Sequence, residues 1–97
     1  MPRCKKSRCC RLLDGEKIFK PRATPLDRQT MTEIFLDEFE AMRLCDHENL
    51  SQIEAGGKMH VSRATIQRLL SSGRYKLLDA LLCSRAIKIH DQMEDQQ

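Results

Sequence analysis

The chain contains 97 residues, 40% of them hydrophobic, with a formal net charge of +3. This length and composition suit one small domain rather than two. Residues 1–28 carry nine basic and three acidic residues, and a positive excess returns in residues 51–85, which favours a polyanionic partner. No apolar run approaches ~18 residues and no signal-peptide core is present, so we expect a cytoplasmic protein with no membrane partner.

Residues 1–28 are predicted to form a basic N-terminal arm and an extended anchor. The arm has no acidic residue and no hydrophobic periodicity in its first part, which is typical of arms that contact phosphates or the minor groove of DNA. A merely solubilising tail is the alternative. The basic residues are Arg3, Lys5, Lys6, Arg8 and Arg11. Ile18 and Phe19, followed by Pro21, predict a short extended piece that fixes the arm to the core through the aromatic ring.

Five cysteines form an odd set in a chain without a secretion signal, which favours reduced thiols over a disulfide framework. Cys4, Cys9 and Cys10 lie in the arm, but their C-x4-C-C spacing is not a usual zinc pattern. We expect no metal and no cofactor, and these three residues are the candidates if a metal does bind. Cys45 and Cys83 are expected to be small core residues.

An acidic first helix is predicted over residues 36–47. Asp37 and Glu38 suit the positive end of a helix, and Asn49, which tolerates the left-handed conformation, would close it. The acidic side chains would repel phosphates, so this helix should face away from DNA. They would also suit acid/base catalysis, but no nucleophile, oxyanion donor or metal constellation accompanies them. We therefore expect no enzymatic activity.

A capping box predicts the second helix. Ser51 and Glu54 form the S-x-x-E pattern, in which the hydroxyl accepts from the third helical amide and the carboxylate accepts from the cap's own amide. A helix over residues 52–59 follows. The pattern then breaks, and Ser62 provides a second N-cap for a helix over residues 62–82.

Two helices joined by about four residues predict a DNA-binding helix-turn-helix unit. Ala55 and Gly56 are small, as is needed where such helices cross. The third helix has an apolar stripe at i, i+3 and i+4 spacing that should face the core. The stripe begins with Ile66, Leu69 and Leu70, and we expect it to continue through Leu77, Leu78 and Leu81.

The opposite side of the third helix is predicted to face DNA. Arginine and glutamine there match the donors and acceptors that read guanine and adenine edges, whereas an ordinary solvated helix face is the alternative. We expect base contacts from Arg63, Thr65, Gln67 and Arg68. Phosphate contacts are expected from the basic arm together with Ser62, Arg74 and Lys76, and Ser71 lies on the same outer face.

Residues 86–90 alternate apolar and polar side chains, the pattern of a half-buried strand. One strand is not stable alone, so it must pair with the segment around residues 18–19 or with the same strand of a second copy. Most helix-turn-helix proteins occupy two half-sites about 34 Å apart, and we therefore expect a weak homodimer with this strand as its interface. Residues 91–97 lack apolar periodicity and are predicted to be a disordered tail.

These predictions describe a mainly α fold, a three-helix helix-turn-helix domain over residues 29–90 with a basic N-terminal arm and a short C-terminal β element. The chain opens with PR-x-K-K, has D-E-x-E-A-x-R-L-x-D at residues 37–46 and LSQ-x-EA at residues 50–55, and continues with M-x-V-S-R-x-T at residues 59–65. In these motifs it resembles a family of small, uncharacterised prokaryotic proteins, the domain of unknown function number 134. Family members usually have glycine where His60 stands, at a turn position that often needs a positive φ.

The resemblance implies a DNA-binding protein whose helix-turn-helix is similar to the fourth region of sigma factors. Our first hypothesis is a sequence-specific regulator of transcription that binds double-stranded DNA. The second is a cysteine-dependent metal or redox sensor. The third is a protein-interaction module that contacts RNA polymerase through a sigma-like fold.

Overall fold

The structure, a computed structural model, describes residues 15–22 and 31–91. Within these residues the strands are β1 (Lys17–Phe19), β2 (Thr32–Ile34) and β3 (Ile87–Ile89). The helices are α1 (Leu36–Met42), α2 (Gln52–Met59) and α3 (Arg63–Leu82), and a π-helical turn (Arg43–His47) continues α1. The fold is therefore mainly α with a small sheet. No helix in the described part of the chain is both long and apolar enough to cross a lipid bilayer.

The structure confirms the three helices predicted at residues 36–47, 52–59 and 62–82. The end of the first helix differs from the prediction because its last turn is π-helical. There the Glu48 N–H donates to the Arg43 carbonyl at 2.9 Å, a bond that spans five residues. Asn49 follows with φ 62°, the left-handed conformation predicted for it.

The three strands form one sheet in the order β1-β3-β2. The strand predicted at residues 86–90 is present as β3, which pairs antiparallel with β1 and parallel with β2. Both edges of β3 are therefore occupied within the chain, and the prediction that this strand forms a homodimer interface is wrong. The sequence did not predict β2, because Thr32–Ile34 is only three residues long and leads directly into α1.

The segment around Phe19 does join the core, but not through its aromatic ring as predicted. Phe19 is 58% exposed and Ile18 is 48% exposed. The antiparallel backbone pairing of β1 with β3 holds this segment instead, in a register that places Phe19 opposite Ile87. A backbone ladder fixes a strand whichever side chains it carries, so the predicted burial was not required.

The core lies between α3 and the elements packed on it, which are α1, α2 and β2. Ile66, Leu69 and Leu70 are buried as predicted. The predicted continuation of this stripe is wrong, since Leu77, Leu78 and Leu81 are exposed. At ~100° per residue Leu78 is turned about 120° away from Ile66, so it leaves the buried side of the helix.

Glycine 73 marks a close packing contact between α3 and α1. A Cβ atom at Gly73 would lie 3.0 Å from Cε of Met42 and 3.4 Å from Cβ of Glu38. The two helices can approach this closely because residue 73 has no side chain. The contact places Glu38, on the acidic face of α1, against α3.

Candidate nucleic-acid interface

The predicted capping box begins α2. The Glu54 N–H donates to Oγ of Ser51 at 3.1 Å, and the Ser51 N–H donates to Oε1 of Glu54 at 2.9 Å. Both bonds satisfy amides that the helix itself leaves without partners. The capping box therefore determines where α2 begins. The turn to α3 follows where this eight-residue helix ends.

The turn between α2 and α3 is short and tight. His60 has φ 61° and ψ 41°, in the left-handed region, and the Val61 N–H donates to the Gly56 carbonyl at 2.9 Å. A Cβ atom at Gly56 would lie 2.7 Å from the Val61 carbonyl oxygen, which agrees with the prediction that a small residue is needed here. Ser62 then caps α3, because its Oγ accepts from the Thr65 N–H at 3.1 Å.

Polar side chains at the start of α3 are joined by hydrogen bonds. Arg63 Nη1 donates to Oε1 of Gln52 at 2.9 Å and to Oε1 of Gln67 at 3.4 Å. On the neighbouring side, Arg68 Nη2 donates to Oγ1 of Thr65 at 3.2 Å, and that oxygen lies 3.1 Å from Oγ of Ser62. The structure thus brings together the predicted base-contacting residues at one end of α3. We call Arg63, Thr65, Gln67 and Arg68 the α3 polar face.

One member of this arrangement, Gln52, was not predicted from the sequence. Gln52 lies at the start of α2, and its amide oxygen accepts from Arg63 across the turn. No local pattern marks Gln52, because its partner Arg63 lies 11 residues away across the turn. Gln52 holds the guanidinium of Arg63 in place without neutralising its charge.

The α3 polar face carries two positive charges, those of Arg63 and Arg68. Among residues 15–22 and 31–91, no carboxylate forms an ion pair with Arg63 or Arg68. By contrast, Arg43 pairs with two carboxylates, and Arg74 and Arg85 pair with one each. The first turn of α3 contains no acidic residue, unlike the first turns of α1 and α2. The positive end of the helix dipole is therefore not offset there, which favours an anion.

Lys76 lies in a different environment from the one predicted. Its Nζ lies 3.0 Å from both carboxylate oxygens of Glu38, a residue that is only 3% exposed. Ser72 also donates to that carboxylate. Lys76 therefore stabilises the contact between α1 and α3 and does not reach the α3 polar face.

Arg74 and Ser71 remain on the exposed side of α3. The guanidinium of Arg74 makes two hydrogen bonds to Asp46, at 2.6 and 3.1 Å, and this hydrogen bonding raises the pKa of Arg74 above its usual value. Arg74 is therefore already paired with an anion, and a phosphate would have to compete with Asp46. Ser71 lies one turn beyond Gln67 and continues the outer face.

The acidic residues of α1 do not present a negative surface. Asp37, Glu38 and Glu40 are 1%, 3% and 5% exposed. Glu40 accepts two hydrogen bonds from Arg43 at 2.8 Å, and these raise the pKa of Arg43. These three carboxylates of α1 are therefore buried, and whether the helix faces away from DNA stays a prediction.

The two cysteines in the described residues differ from each other. Cys45 is half-buried, and burial, with the neighbouring Asp46, raises the pKa of its thiol. Cys83 is exposed, so the prediction that it is a core residue is wrong. It directly follows the last residue of α3, and its Sγ donates to Oδ1 of Asp79 at 3.7 Å. Cys4, Cys9 and Cys10, like the arm residues Arg3, Lys5, Lys6, Arg8 and Arg11, lie outside the described residues.

Comparison with known proteins places the chain in a family. The family described as "Protein of unknown function DUF134" matches residues 1–94, and the chain belongs to it. The resemblance noted in the sequence is thereby confirmed at the level of the family. No solved structure matches the chain.

Several curated relatives carry the name UPF0251 protein. One from Dehalococcoides mccartyi is 42% identical over 91 residues, which cover 92% of this chain and 76% of the relative. One from Moorella thermoacetica is 40% identical over 89 residues, covering 92% of this chain but only 60% of the relative. One from Aeromonas salmonicida is 38% identical over 87 residues, covering 90% and 85%. The similarity thus extends over nearly the whole chain but not over the whole of each relative.

Proposed function

We propose that this protein is a sequence-specific DNA-binding protein, without enzymatic activity, that regulates transcription. In this proposal α2 and α3 form a helix-turn-helix unit and α3 is the helix that reads bases. The observation that carries the proposal is the α3 polar face, whose two arginines hydrogen-bond only to neutral side chains among the described residues. Arginine and glutamine together supply the bidentate pairings used on guanine and adenine in the major groove.

The dimensions of α3 support this assignment. A helix of 20 residues is about 30 Å long, and its first half carries the polar face while its second half extends beyond it. The major groove is about 12 Å wide, which accommodates one α-helix. Because Arg63, Gln67 and Arg68 are exposed, the first half of α3 can enter the groove without displacing another element of the described fold.

Contacts to phosphates would come from two sources. The first turn of α3 has no acidic residue to offset the positive end of the helix dipole. This end of the helix, with the Ser62 hydroxyl beside it, therefore favours binding of one phosphate. The basic arm would supply the remaining charge, and its contacts would act on all sequences alike. Lys76 is left out of this proposal because Glu38 holds it. Arg74 would contact a phosphate only if that phosphate replaced Asp46 as its partner.

Substitution of Arg68 separates base reading from phosphate binding. After selection of a preferred site from genomic fragments, Arg68→Ala should weaken binding to that site by about 1–3 kcal/mol and weaken binding to random DNA much less. The double variant Lys5→Ala, Lys6→Ala should weaken both alike and reduce the slope of log K against log salt by roughly two. Equilibrium titration at several salt concentrations measures both effects.

Arg85→Ala provides the matched control. Arg85 is an exposed arginine beyond the far end of α3 and pairs with Asp79 at 2.7 Å, so its removal changes the net charge by the same amount as Arg68→Ala. We expect the preference of the Arg85→Ala variant for the selected site to stay unchanged. If Arg68→Ala lowers the affinity for every sequence equally, α3 holds the DNA backbone and the claim of base reading fails.

The other two hypotheses have less support in the structure. The metal or redox hypothesis rests on Cys4, Cys9 and Cys10, which lie outside the described residues. No group of three metal-ligating side chains occurs among residues 15–22 and 31–91. A module that contacts RNA polymerase would not require an α3 polar face free of carboxylates, and it predicts no salt-sensitive affinity for DNA.

A further inference from the structure

The second half of α3 exposes large apolar side chains. Tyr75 is 70% exposed, Leu78 59%, Leu81 63% and Leu82 76%. Tyr75, Leu78 and Leu82 have i, i+3 and i+7 spacing, so they lie on one side of the helix, with Leu81 beside them. We call these four residues the α3 apolar ridge. Their exposed parts amount to roughly 500 Å² on typical side-chain areas, at the upper end of what a monomer usually shows.

An apolar groove lies on one side of the ridge. It has a volume of about 470 Å³ and lies between α1 with its π-helical turn, α3 and β3. Its apolar lining consists of Ile34, Phe39, Met42, Leu77 and Ile89. A groove of this size can receive two or three leucine side chains.

A second, smaller groove lies about one helical turn further along α3. Its volume is about 200 Å³, and Phe19 and Leu81 both line it. Two depressions that are open to solvent therefore lie beside the ridge.

The charges next to the ridge are neutralised within the chain. On α3 and just after it, Arg74 pairs with Asp46, Lys76 with Glu38, and Arg85 with Asp79. Bringing two copies of this surface together therefore places no unpaired like charges from these residues against each other. A strongly charged partner would gain little from a surface whose charges are already paired.

We propose that the α3 apolar ridge is the interface of a homodimer, in which the ridge of each copy packs into the larger groove of the other. A two-fold interface must be complementary to itself, and this surface contains both the projecting side chains and the depression that would receive them. A stable interface buries about 800 Å² per partner, and the exposed ridge alone offers roughly 500 Å² toward that area. The dimer replaces the strand pairing that β3 excludes, and it does not depend on DNA binding.

Sedimentation equilibrium of the full chain without DNA tests the interface. The wild-type protein should approach twice its mass of 11.3 kDa as its concentration rises through the micromolar range. The double variant Leu78→Glu, Leu82→Glu should raise the dissociation constant by roughly 100-fold, because it places charges in a desolvated contact. The milder variant Leu78→Ala, Leu82→Ala should weaken the dimer in the same direction.

Ile53→Glu is the control, since Ile53 is a 72% exposed apolar residue on α2, away from the ridge. It should leave the dimer unchanged, and circular dichroism should show the helical content of the wild type in every variant. A wild-type protein that stays monomeric at high micromolar concentration, or a folded Leu78→Glu, Leu82→Glu variant that still dimerises, would overturn the proposal. Either result would leave the DNA-binding proposal standing, because DNA titration of the monomer tests that separately.

Discussion

Lys76 and Glu38 form an ion pair between α3 and α1, although they lie 38 residues apart in the sequence. The carboxylate is 4% exposed and the ammonium side chain 29% exposed. The Lys76 ammonium also lies 5.0 Å from the centre of the Phe35 ring, which stacks on His90 at 4.7 Å. A residue that was predicted to contact phosphate is therefore part of the interior contact between two helices and the end of the sheet.

Replacing Lys76 should destabilise the fold. Lys76→Met keeps most of the side-chain volume but leaves Glu38 buried without its cation. We expect the free energy of unfolding to fall by about 2–3 kcal/mol, less than the ~3–5 kcal/mol of a fully buried pair because Lys76 is partly exposed. Urea denaturation measures this loss. Arg85→Ala, which breaks the more exposed pair with Asp79, should cost at most about 1 kcal/mol. Equal effects of the two substitutions would contradict the structural role of Lys76.

Gly56 and Gly57 are neighbours on α2 that should respond oppositely to alanine. A Cβ atom at Gly56 would lie 2.7 Å from the Val61 carbonyl oxygen, whereas a Cβ atom at Gly57 has nothing within 4 Å. Gly57→Ala should stabilise the protein by about 0.5–1 kcal/mol, because alanine is the better helix former. Gly56→Ala should destabilise it, because the backbone of the turn must move. Thermal unfolding of the two variants side by side tests this prediction, and a stabilised Gly56→Ala variant would refute it.

Replacing His60 by glycine should stabilise the folded protein. Its φ of 61° is a conformation that costs residues with a Cβ atom roughly 1–2 kcal/mol. Glycine removes this strain, but part of the stabilisation is lost because glycine has greater conformational freedom in the unfolded chain. We expect His60→Gly to stabilise the protein by about 0.5–1 kcal/mol, with a rise of several degrees in Tm. Lys58→Gly, at an exposed position inside α2, should instead lower Tm. A lower Tm for His60→Gly would show that the imidazole makes a contact worth more than the strain.

The thiols of Cys83 and Cys45 should react at different rates. Cys83 is exposed, whereas burial raises the pKa of Cys45 and so reduces its thiolate fraction near neutral pH. Because the thiolate is the reactive form, alkylation of Cys45 should be slower. Peptide mapping by mass spectrometry after timed alkylation distinguishes these residues from the arm cysteines. In urea the difference should disappear, and equal rates in the native protein would contradict the half-buried position of Cys45.

The features that the sequence predicted correctly are local ones. The hydroxyls of Ser51 and Ser62 cap helices through bonds to residues three positions away, and the left-handed conformation of Asn49 depends on its own side chain. Such features need no knowledge of the rest of the fold. Two residues of the α3 polar face follow from periodicity in the same way, because Gln67 and Arg68 are turned away from Ile66 at ~100° per residue, whereas Arg63 lies on a flank.

The features that the sequence did not predict depend on distant partners. The roles of Lys76 and Arg74 follow from carboxylates 38 and 28 residues away. The exposure of Leu78 depends on where the elements packed against α3 end, and the pairing of β3 depends on two segments before α1. No local sequence pattern indicates any of these contacts between distant parts of the chain. Leu78 was predicted to be a core residue because it is apolar, although helical periodicity places it about 120° from Ile66 around the axis of α3.

The central position of β3 also sets the order in which the protein can be assembled during synthesis. Thr32 leaves the ribosome long before its partner Ile87, and β1 leaves earlier still. The helices can pack as they emerge, but both outer strands must wait for the strand that joins them. Until then the nascent chain carries two unpaired strand segments, whose free amides and carbonyls are open to other chains. The interval before β3 pairs is therefore the time at which this chain is most open to misassembly, and completion of the sheet ends it.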